Sequence, residues 1–158
     1  MRLNIGCGDK KMTGYINIDI RPEVDPDILL DIEKIPYDFD TSSIDVIKAI
    51  DVVEHISHHN AVKVLKEWYR ILKNDGELII RMPCMDRIIT DVVSGGLLSD
   101  WWQLSYHLFG GQDYPENTHK LIFTKSEIKR VLAEIGFVVY KIEHEGGYNM
   151  IVCARAVK

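Results

Sequence analysis

The sequence predicts an α/β protein built on a doubly wound, mostly parallel sheet. Strand-like segments alternate with helix-like segments along the chain, which is the pattern produced by parallel strands joined through crossover helices. The length of 158 residues is that of one ordinary domain, and a hydrophobic content of 46% is enough to build a buried core. No repeat or low-complexity linker divides the chain, so we expect a single domain over residues 1–158.

Four strands are expected before the first long helix, because each segment is short, rich in isoleucine or valine and flanked by turn residues. They cover residues 3–5, 15–20, 27–30 and 44–50. A helix is predicted over 53–73, with a core-facing stripe at 3.6-residue spacing. The stripe consists of Val62, Leu65, Tyr69 and Leu72, with Val64, Trp68 and Ile71 beside it. Gly76 is expected to end this helix in the left-handed conformation, and a fifth strand follows over 77–82.

Residues 84–120 break the alternation, and we expect them to form an insert that acts as a substrate-site lid or as an interface. Within it, 86–93 is helix-like, 101–109 is rich in aromatic residues and 110–119 is a polar loop. An aromatic stripe at helical spacing is more typical of a core or an interface than of a sugar-stacking surface. This one consists of Trp101, Trp102, Tyr106 and Phe109.

The C-terminal part of the chain is predicted to add one helix and an antiparallel strand pair. Thr124 and Glu127 have the spacing of a capping box, which predicts a helix over 125–135. Strands over 137–142 and 149–156 then bring the predicted sheet to seven strands.

Composition excludes several classes of function. The net charge of −5 disfavours nucleic acid as the main partner, because phosphate contacts need clustered cations. No apolar run approaches the ~18 residues that a membrane span needs, so no membrane partner is expected. Three cysteines without a C-x-x-C motif, and no signal peptide before the first strand, predict a reducing, cytoplasmic location. A small-molecule substrate is the remaining expectation.

Three segments that end predicted strands carry residues suited to a nucleoside. Gly6 and Gly8 let the backbone turn tightly after the first strand. Asp19 ends the second strand, where an acidic side chain can accept hydrogen bonds from ribose hydroxyls. Asp31 follows the third strand and can accept from an exocyclic amine. Lys11 stands where a third glycine would complete G-x-G-x-x-G, which disfavours NAD and favours a nucleoside without a pyrophosphate.

The chain resembles the class I S-adenosylmethionine-dependent methyltransferases, and within them a small bacterial branch, similar to type 11, whose members occur among polysaccharide-synthesis genes. The motifs that carry the resemblance are LNIGCG at 3–8, GYINID at 14–19, DIE at 31–33, IDVIKAIDVVEHI at 44–56 and WYRILKNDGEL at 68–78. The resemblance implies a Rossmann-like methyltransferase fold, S-adenosylmethionine as cofactor and S-adenosylhomocysteine as product. It also implies which residues bind the cofactor: Gly6, Cys7, Gly8, Asp19, Ile20, Asp31, Ile32, Ile50 and Asp51.

The connections between the first strands are shorter than those of the family. Asp19 follows Gly6 by 13 positions (19 − 6), so at most one helical turn fits between them. The connections at 21–26 and 33–43 are also too short for substantial helices. We therefore expect one face of the sheet to be partly solvated, or covered by the insert or by a second copy in a homodimer or other homo-oligomer.

His55 and His119 are the candidate catalytic residues. His55 lies just after the fourth strand, where an imidazole with an ordinary pKa of ~6.5 can serve as a base. His119 lies in a polar loop that also holds Gln112, Asp113, Tyr114 and Asn117. His55, His58 and His59 have i, i+3, i+4 spacing, but no further ligand completes a set, so no metal is predicted. Glu54 is expected to point away from His55 on a solvated helix start.

These features predict a methyltransferase that moves a methyl group by direct displacement to a small polar acceptor. A sugar or glycan precursor is implied by the resemblance alone. The alternative is a non-catalytic protein that retains the fold and binds S-adenosylmethionine or a partner. A dehydrogenase is disfavoured by the incomplete glycine pattern.

Overall fold

A computed structural model describes all residues, 1–158, and contains one seven-stranded sheet. The strands are β1 (Arg2–Ile5), β2 (Ile16–Asp19), β3 (Ile28–Leu29), β4 (Ile44–Ile50), β5 (Leu72–Pro83), β6 (Phe137–His144) and β7 (Asn149–Ala156). Their order is β3-β2-β1-β4-β5-β7-β6, with the first five parallel and β7 antiparallel to both neighbours. The predicted fold class, a mostly parallel sheet with an antiparallel C-terminal pair, is confirmed.

Four α-helices accompany the sheet. They are α1 (Ala61–Ile71), α2 (Met85–Val93), α3 (Trp101–Phe109) and α4 (Lys125–Ile135). One-turn 3₁₀ helices also occur at Pro22–Val24, Val53–His55 and Leu97–Ser99. None of these helices combines the length and the apolar character that crossing a membrane would need.

The bounds of α4 are those that the sequence predicts, because its ends are specified locally. The Thr124 hydroxyl accepts the N–H of Glu127 at 3.1 Å, and the Glu127 carboxylate accepts the N–H of Thr124 at 3.5 Å. This reciprocal pair is a capping box, which satisfies two N–H groups that a helix start leaves unpaired. Gly136, with φ of 120°, ends the helix.

The prediction of one helix over 53–73 is wrong. A single 3₁₀ turn ends at His55, the backbone is extended at Ile56, and α1 begins only at Ala61. The carboxylate of Glu33 explains the break, since it accepts the backbone N–H of Ser57 at 3.2 Å and the side-chain N–H of Asn60 at 2.8 Å. These bonds stabilise a turn where a continuous helix would need its own backbone pairing.

The core-facing stripe and the end of α1 also differ from prediction. Val62 is 43% exposed, whereas the buried side is formed by Ala61, Val64, Leu65, Trp68 and Ile71. The chain leaves the helix at Leu72, which is extended, and the left-handed residue is Asp75, with φ of 59°, rather than Gly76. Leu65 and Leu72 are buried as predicted, so the buried side includes part of the predicted stripe together with the residues predicted beside it.

The main core lies on one face of the sheet. The inward side chains of β1, β4 and β5 are fully buried there, together with residues of α1 and α4. Leu3, Ile47 and Leu78 stand in register across the three strands and form the centre of this layer. Trp68 of α1 and Leu132 of α4 belong to the same buried cluster.

The opposite face is partly open to solvent, as the sequence predicts, because no α-helix occurs between β1 and β4. Arg2 and Lys48 lie over the ring of Tyr15, at 5.9 and 5.3 Å from its centroid. Further along, Tyr140 is half exposed and Arg155 lies 5.5 Å from its ring centroid. Such cation–π contacts are typical of solvated surfaces.

The insert presents its aromatic residues outward. The side chains of the stripe are all more than half exposed, so the stripe is not part of the core: Trp101, Trp102, Tyr106 and Phe109. Cys84, Ile88 and Leu98 are the buried apolar residues of this segment. The insert returns to the sheet through Lys120, whose N–H donates to the carbonyl of Glu54 at 2.7 Å.

Candidate functional site

A cavity of about 400 Å³ lies at the carboxyl ends of β1, β2 and β4. In open parallel sheets, ligands bind at this edge. All nine residues that the sequence assigns to a cofactor line this cavity: Gly6, Cys7, Gly8, Asp19, Ile20, Asp31, Ile32, Ile50 and Asp51. The fold thus brings together residues that are up to 45 positions apart (51 − 6) in the chain.

The loop after β1 is held in a fixed turn against β4. At Gly6, with φ of +65°, an added Cβ would lie 2.3 Å from Val52 Cγ2, so a side chain does not fit without displacement of Val52. Gly8 has φ of +47° and donates its N–H to Asp19 Oδ2 at 2.8 Å. Cys7 is buried between them and its N–H donates to β2 at 3.0 Å. The backbone itself therefore forms this wall of the cavity.

Asp19 is the most buried carboxylate of the cavity wall, with 6% of the residue exposed. Its Oδ2 accepts the Gly8 N–H, and its Oδ1 accepts the N–H of Arg21 at 3.0 Å. The Arg21 guanidinium lies 3.5 Å from the same oxygen. Each carboxylate oxygen has a further lone pair, so the side chain is fixed in place and can still accept hydroxyl donors.

The residues after β3 offer an apolar wall with a polar rim. Asp31 Oδ1 accepts the N–H of Glu33 at 3.0 Å, which holds the Asp31 carboxylate in a local turn. Ile32 packs against the main core, and Ile20 is 44% exposed on the facing side of the cavity. This combination suits a flat aromatic ring with hydrogen-bonding edges.

Asp51 is already paired within the protein. It has φ of 58°, and its carboxylate accepts two hydrogen bonds from the Arg81 guanidinium, one of them at 2.8 Å from Nε. The bidentate pair holds the Asp51 carboxylate, which lines the cavity, in an ion pair with β5. Sequence analysis missed Arg81 as a partner, because a cation in a strand is normally solvated.

The end of the insert contributes to the cavity wall. Tyr114, Glu116 and Lys120 line the cavity, and the Tyr114 ring lies 4.6 Å from the Arg21 guanidinium carbon. Lys120 pairs with Glu33 at 3.7 Å. Two contacts that involve charged side chains therefore connect the insert to other residues of the cavity wall.

The two predicted catalytic histidines meet beside this cavity. His55 lines it, and the ring centroid of His119 lies 5.1 Å from that of His55. The Nδ1 of His55 lies 3.1 Å from the carbonyl of Thr118, and the Nδ1 of His119 lies 3.1 Å from the carbonyl of His107. Burial lowers the pKa of both imidazoles, so both rings are neutral near pH 7.

Glu54 corrects the prediction of a solvated helix start. The residue is only 2% exposed, and its Oε2 is buried with no hydrogen-bond partner. Burial, together with the nearby Asp51 charge, raises the pKa of the Glu54 carboxyl to about 8. Because residues 53–55 form a 3₁₀ turn and not the start of a helix, the side chain of Glu54 lies beside His55 and His119.

The histidine spacing at 55, 58 and 59 does not produce a cluster. It presumes a helix, whereas α1 begins only at Ala61. His58 and His59 are exposed, with ring centroids 3.8 Å apart. His55 faces the insert instead.

Comparison with known proteins, like the geometry of the cavity, points to a protein that binds a nucleoside-like ligand. Residues 3–80 match the family model described as "Methyltransferase domain". No curated protein matches the sequence significantly. Among solved structures, a methyltransferase from Methanosarcina mazei matches with a TM-score of 0.67 and 16% identity over 99% of this chain and 92% of that one. The PH0226 protein of Pyrococcus horikoshii matches with a TM-score of 0.66 and 16% identity over 98% and 81%.

A third solved structure is an N-methyltransferase. It is the Burkholderia thailandensis 1,6-didemethyltoxoflavin-N1-methyltransferase with bound S-adenosylhomocysteine, with a TM-score of 0.64 and 12% identity over 99% of this chain and 71% of that one. The chain therefore has the fold of these methyltransferases, and residues 3–80, just under half of its length, match the methyltransferase family model. The sheet order described above is the fold that these structures share with it.

Sequence reasoning missed the roles of three residues at or beside the cavity. Val52 matters through its contact with the Gly6 backbone, Arg81 through its pair with Asp51, and Glu54 through burial. The contacts of Val52 and Arg81 can be recognised only once the structure shows how β4 and β5 pair. Glu54 carried a signal, since Glu-His directly after a strand places two titratable groups at the ligand-binding edge.

Proposed function

We propose that this chain binds S-adenosylmethionine in the cavity and transfers its methyl group to a small polar acceptor. The observation that carries the proposal is that all nine residues implied by the sequence resemblance, four of them also predicted from the residues themselves, line one cavity of about 400 Å³. Ligand sites for nucleoside-sized molecules are typically of this order, at ~300–1,000 Å³. The match of residues 3–80 to the methyltransferase family model supports the same ligand.

The residues of the cavity fit the parts of the cofactor. Asp19, fixed by two backbone N–H groups, is suited to accept the two ribose hydroxyls. Ile20 and Ile32 provide apolar walls for adenine, and Asp31 is placed to accept from its amine. Gly6 and Gly8 line the cavity in left-handed backbone conformations, and this turn is proposed to bind the methionine portion.

When bound, S-adenosylmethionine supplies a sulfonium-activated methyl group that a nucleophile displaces, with S-adenosylhomocysteine as product. The chain contributes alignment and exclusion of water, which is the proximity effect of a pre-formed site. His55 and His119 are proposed to serve the acceptor, because neutral imidazoles can accept a proton from it.

The insert is proposed to be the substrate-site lid of a single domain. Tyr114, Glu116 and Lys120 reach over the cavity, and a lid of this kind would shield the reaction from water. The acceptor proposed from the sequence resemblance is a sugar or glycan precursor, which the polar residues of 110–119 would bind through hydrogen bonds. A homodimer through the open sheet face and a cytoplasmic location stay predictions.

The test is methyl transfer from radiolabelled S-adenosylmethionine to a panel of sugars, sugar nucleotides and hydroxylated small molecules. We expect label transfer to at least one acceptor class, with turnover reduced in His55→Ala while S-adenosylhomocysteine affinity is retained. His59→Ala, at an exposed histidine four positions away, is the matched control. Cofactor binding without transfer to any acceptor would favour the non-catalytic alternative.

A further inference from the structure

We propose that Glu54, His55 and His119 form a binding site for a divalent transition-metal ion at the acceptor side of the cavity. One ligand atom from each side chain lies within 4.8 Å of the others. Because a bound ion typically holds its ligands ~2.0–2.2 Å from itself, three atoms this close can be bridged by one ion with small side-chain movements.

The first supporting observation is the state of Glu54. Only 2% of the residue is exposed, and its Oε2 is buried with no hydrogen-bond partner. A buried oxygen without a partner is costly, at roughly 1–3 kcal/mol, and native structures rarely retain one without a reason. A cation bound by this oxygen would provide the missing partner.

The second observation is how both imidazoles are oriented. In each ring the Nδ1 faces a backbone carbonyl at 3.1 Å, that of Thr118 for His55 and that of His107 for His119. A carbonyl only accepts, so Nδ1 must carry the proton in both rings, and Nε2 is left as an unprotonated nitrogen. This is the second-sphere arrangement that fixes metal-ligating histidines in proteins.

The third observation is that backbone contacts assemble the triad from distant segments. Lys120 and Leu121 both donate their N–H groups to the carbonyl of Glu54, at 2.7 and 3.3 Å. This places the residue before Lys120, His119, beside the Glu54–His55 turn. The three side chains are therefore held by the fold itself and do not depend on chance surface proximity.

The donor set indicates the class of ion. Two imidazole nitrogens and one carboxylate favour Zn²⁺, Fe²⁺ or a similar first-row ion over Mg²⁺ or Ca²⁺, which prefer oxygen ligands alone. Three protein ligands also leave at least one position of a tetrahedral ion free, as in catalytic zinc sites. Since His55 lines the cavity, that position is accessible to a molecule in the acceptor space.

A consequence for the acceptor follows, and it rests on the proposed methyltransferase function. An ion in this place would coordinate a hydroxyl oxygen of the acceptor and lower its pKa, as metal ions do for bound water, so that the hydroxyl would lose its proton to solvent water. The resulting alkoxide oxygen would form the new bond to the methyl carbon as the sulfur–carbon bond breaks, which leaves S-adenosylhomocysteine. The histidines would then act through the ion instead of as free bases. Chelation would reduce methyl transfer without reducing cofactor affinity.

The experiment is titration of the chelator-treated protein with Zn²⁺ by calorimetry, and with Co²⁺ by visible absorption. We expect one ion per chain. Glu54→Gln and His119→Ala should each weaken binding by about 100-fold or more, because loss of an outer-sphere partner alone typically weakens it 10–100-fold. His58→Ala/His59→Ala removes the exposed histidine pair and should leave affinity unchanged.

The outcomes separate this proposal from the proposed function. Circular dichroism and S-adenosylhomocysteine binding, measured on the same samples, report whether each variant is folded and whether the cofactor site is intact. Absence of Zn²⁺ binding by a folded wild-type chain overturns the metal site and leaves the methyltransferase proposal standing. Binding that survives in Glu54→Gln but is lost in His58→Ala/His59→Ala also overturns it, by moving the ion to the surface.

Discussion

The contact between the Gly6 backbone and Val52 makes a quantitative prediction about how the cofactor loop is built. In Gly6→Ala, the new Cβ would lie 2.3 Å from Val52 Cγ2, and the residue would have to keep φ of +65°. The left-handed backbone costs about 1–2 kcal/mol for a residue with a Cβ. Overpacking of a tight site adds about 1–3 kcal/mol. We therefore expect the free energy of unfolding to fall by about 2–5 kcal/mol.

Gly14 provides a matched control. It has φ of +80°, but nothing lies within 4 Å of an added Cβ. Gly14→Ala should therefore lose only the backbone contribution of about 1–2 kcal/mol. The difference between the two variants isolates the steric contact with Val52.

Urea unfolding followed by circular dichroism measures these differences, and a double-mutant cycle with Val52→Ala tests their cause. Removing the two methyl groups of Val52 should recover most of the extra loss in Gly6→Ala, giving a favourable coupling of about 1–3 kcal/mol. Equal stability of Gly6→Ala and Gly14→Ala, or no coupling with Val52→Ala, would refute the steric account of this loop.

Three further predictions concern the cavity and the packing around it. Asp19→Asn should weaken S-adenosylhomocysteine binding by about 1–3 kcal/mol, because hydrogen bonds to a charged group are lost. Calorimetry measures this loss of affinity, with Asp25→Asn at an exposed carboxylate as the control. Unchanged affinity would remove Asp19 from the ribose site. Tyr114→Ala should weaken the same binding by about 0.5–1 kcal/mol, because its contact with Arg21 at 4.6 Å is lost. Tyr106→Ala is the control and should leave the affinity unchanged. Equal losses of affinity in the two variants would argue against a lid. Glu67→Gln should lower the free energy of unfolding at pH 7, since Arg70 and the Tyr37 N–H hold the pKa of Glu67 below 4.5. When folding lowers the pKa of a carboxyl, its stabilisation is present above the unfolded-state pKa of 4.5 and is lost as pH falls through the folded-state pKa. The free energies of unfolding of wild type and Glu67→Gln should therefore converge in acid. A constant difference between them at all pH values would contradict the ion pair.

Sequence alone predicted those features whose causes are local or periodic. The capping box at Thr124 and Glu127 fixed the bounds of α4, because the hydrogen bonds involved span only three residues. The short crossovers predicted the open face of the sheet, because chain length limits what can lie between parallel strands. Gly6, Gly8, Asp19 and Asp31 were found because strand ends of one parallel sheet meet at one edge, and the other five cavity residues were implied by the family resemblance.

The remaining features depend on contacts between distant segments. The helix predicted over 53–73 is interrupted by Glu33, which lies 24 residues before Ser57 and gives no local signal. The burial of Glu54 depends on the insert returning through Lys120. The left-handed residue at Asp75, where Gly76 was expected, shows that local propensity is a weak guide when the following strand determines the path.

The measurement that tests the account most directly is calorimetric titration of the purified chain with S-adenosylmethionine and S-adenosylhomocysteine, with NAD as control. The account predicts micromolar binding of both sulfur nucleosides at one site per chain and no binding of NAD. Failure of a folded chain to bind either sulfur nucleoside, or equal binding of NAD, would contradict it.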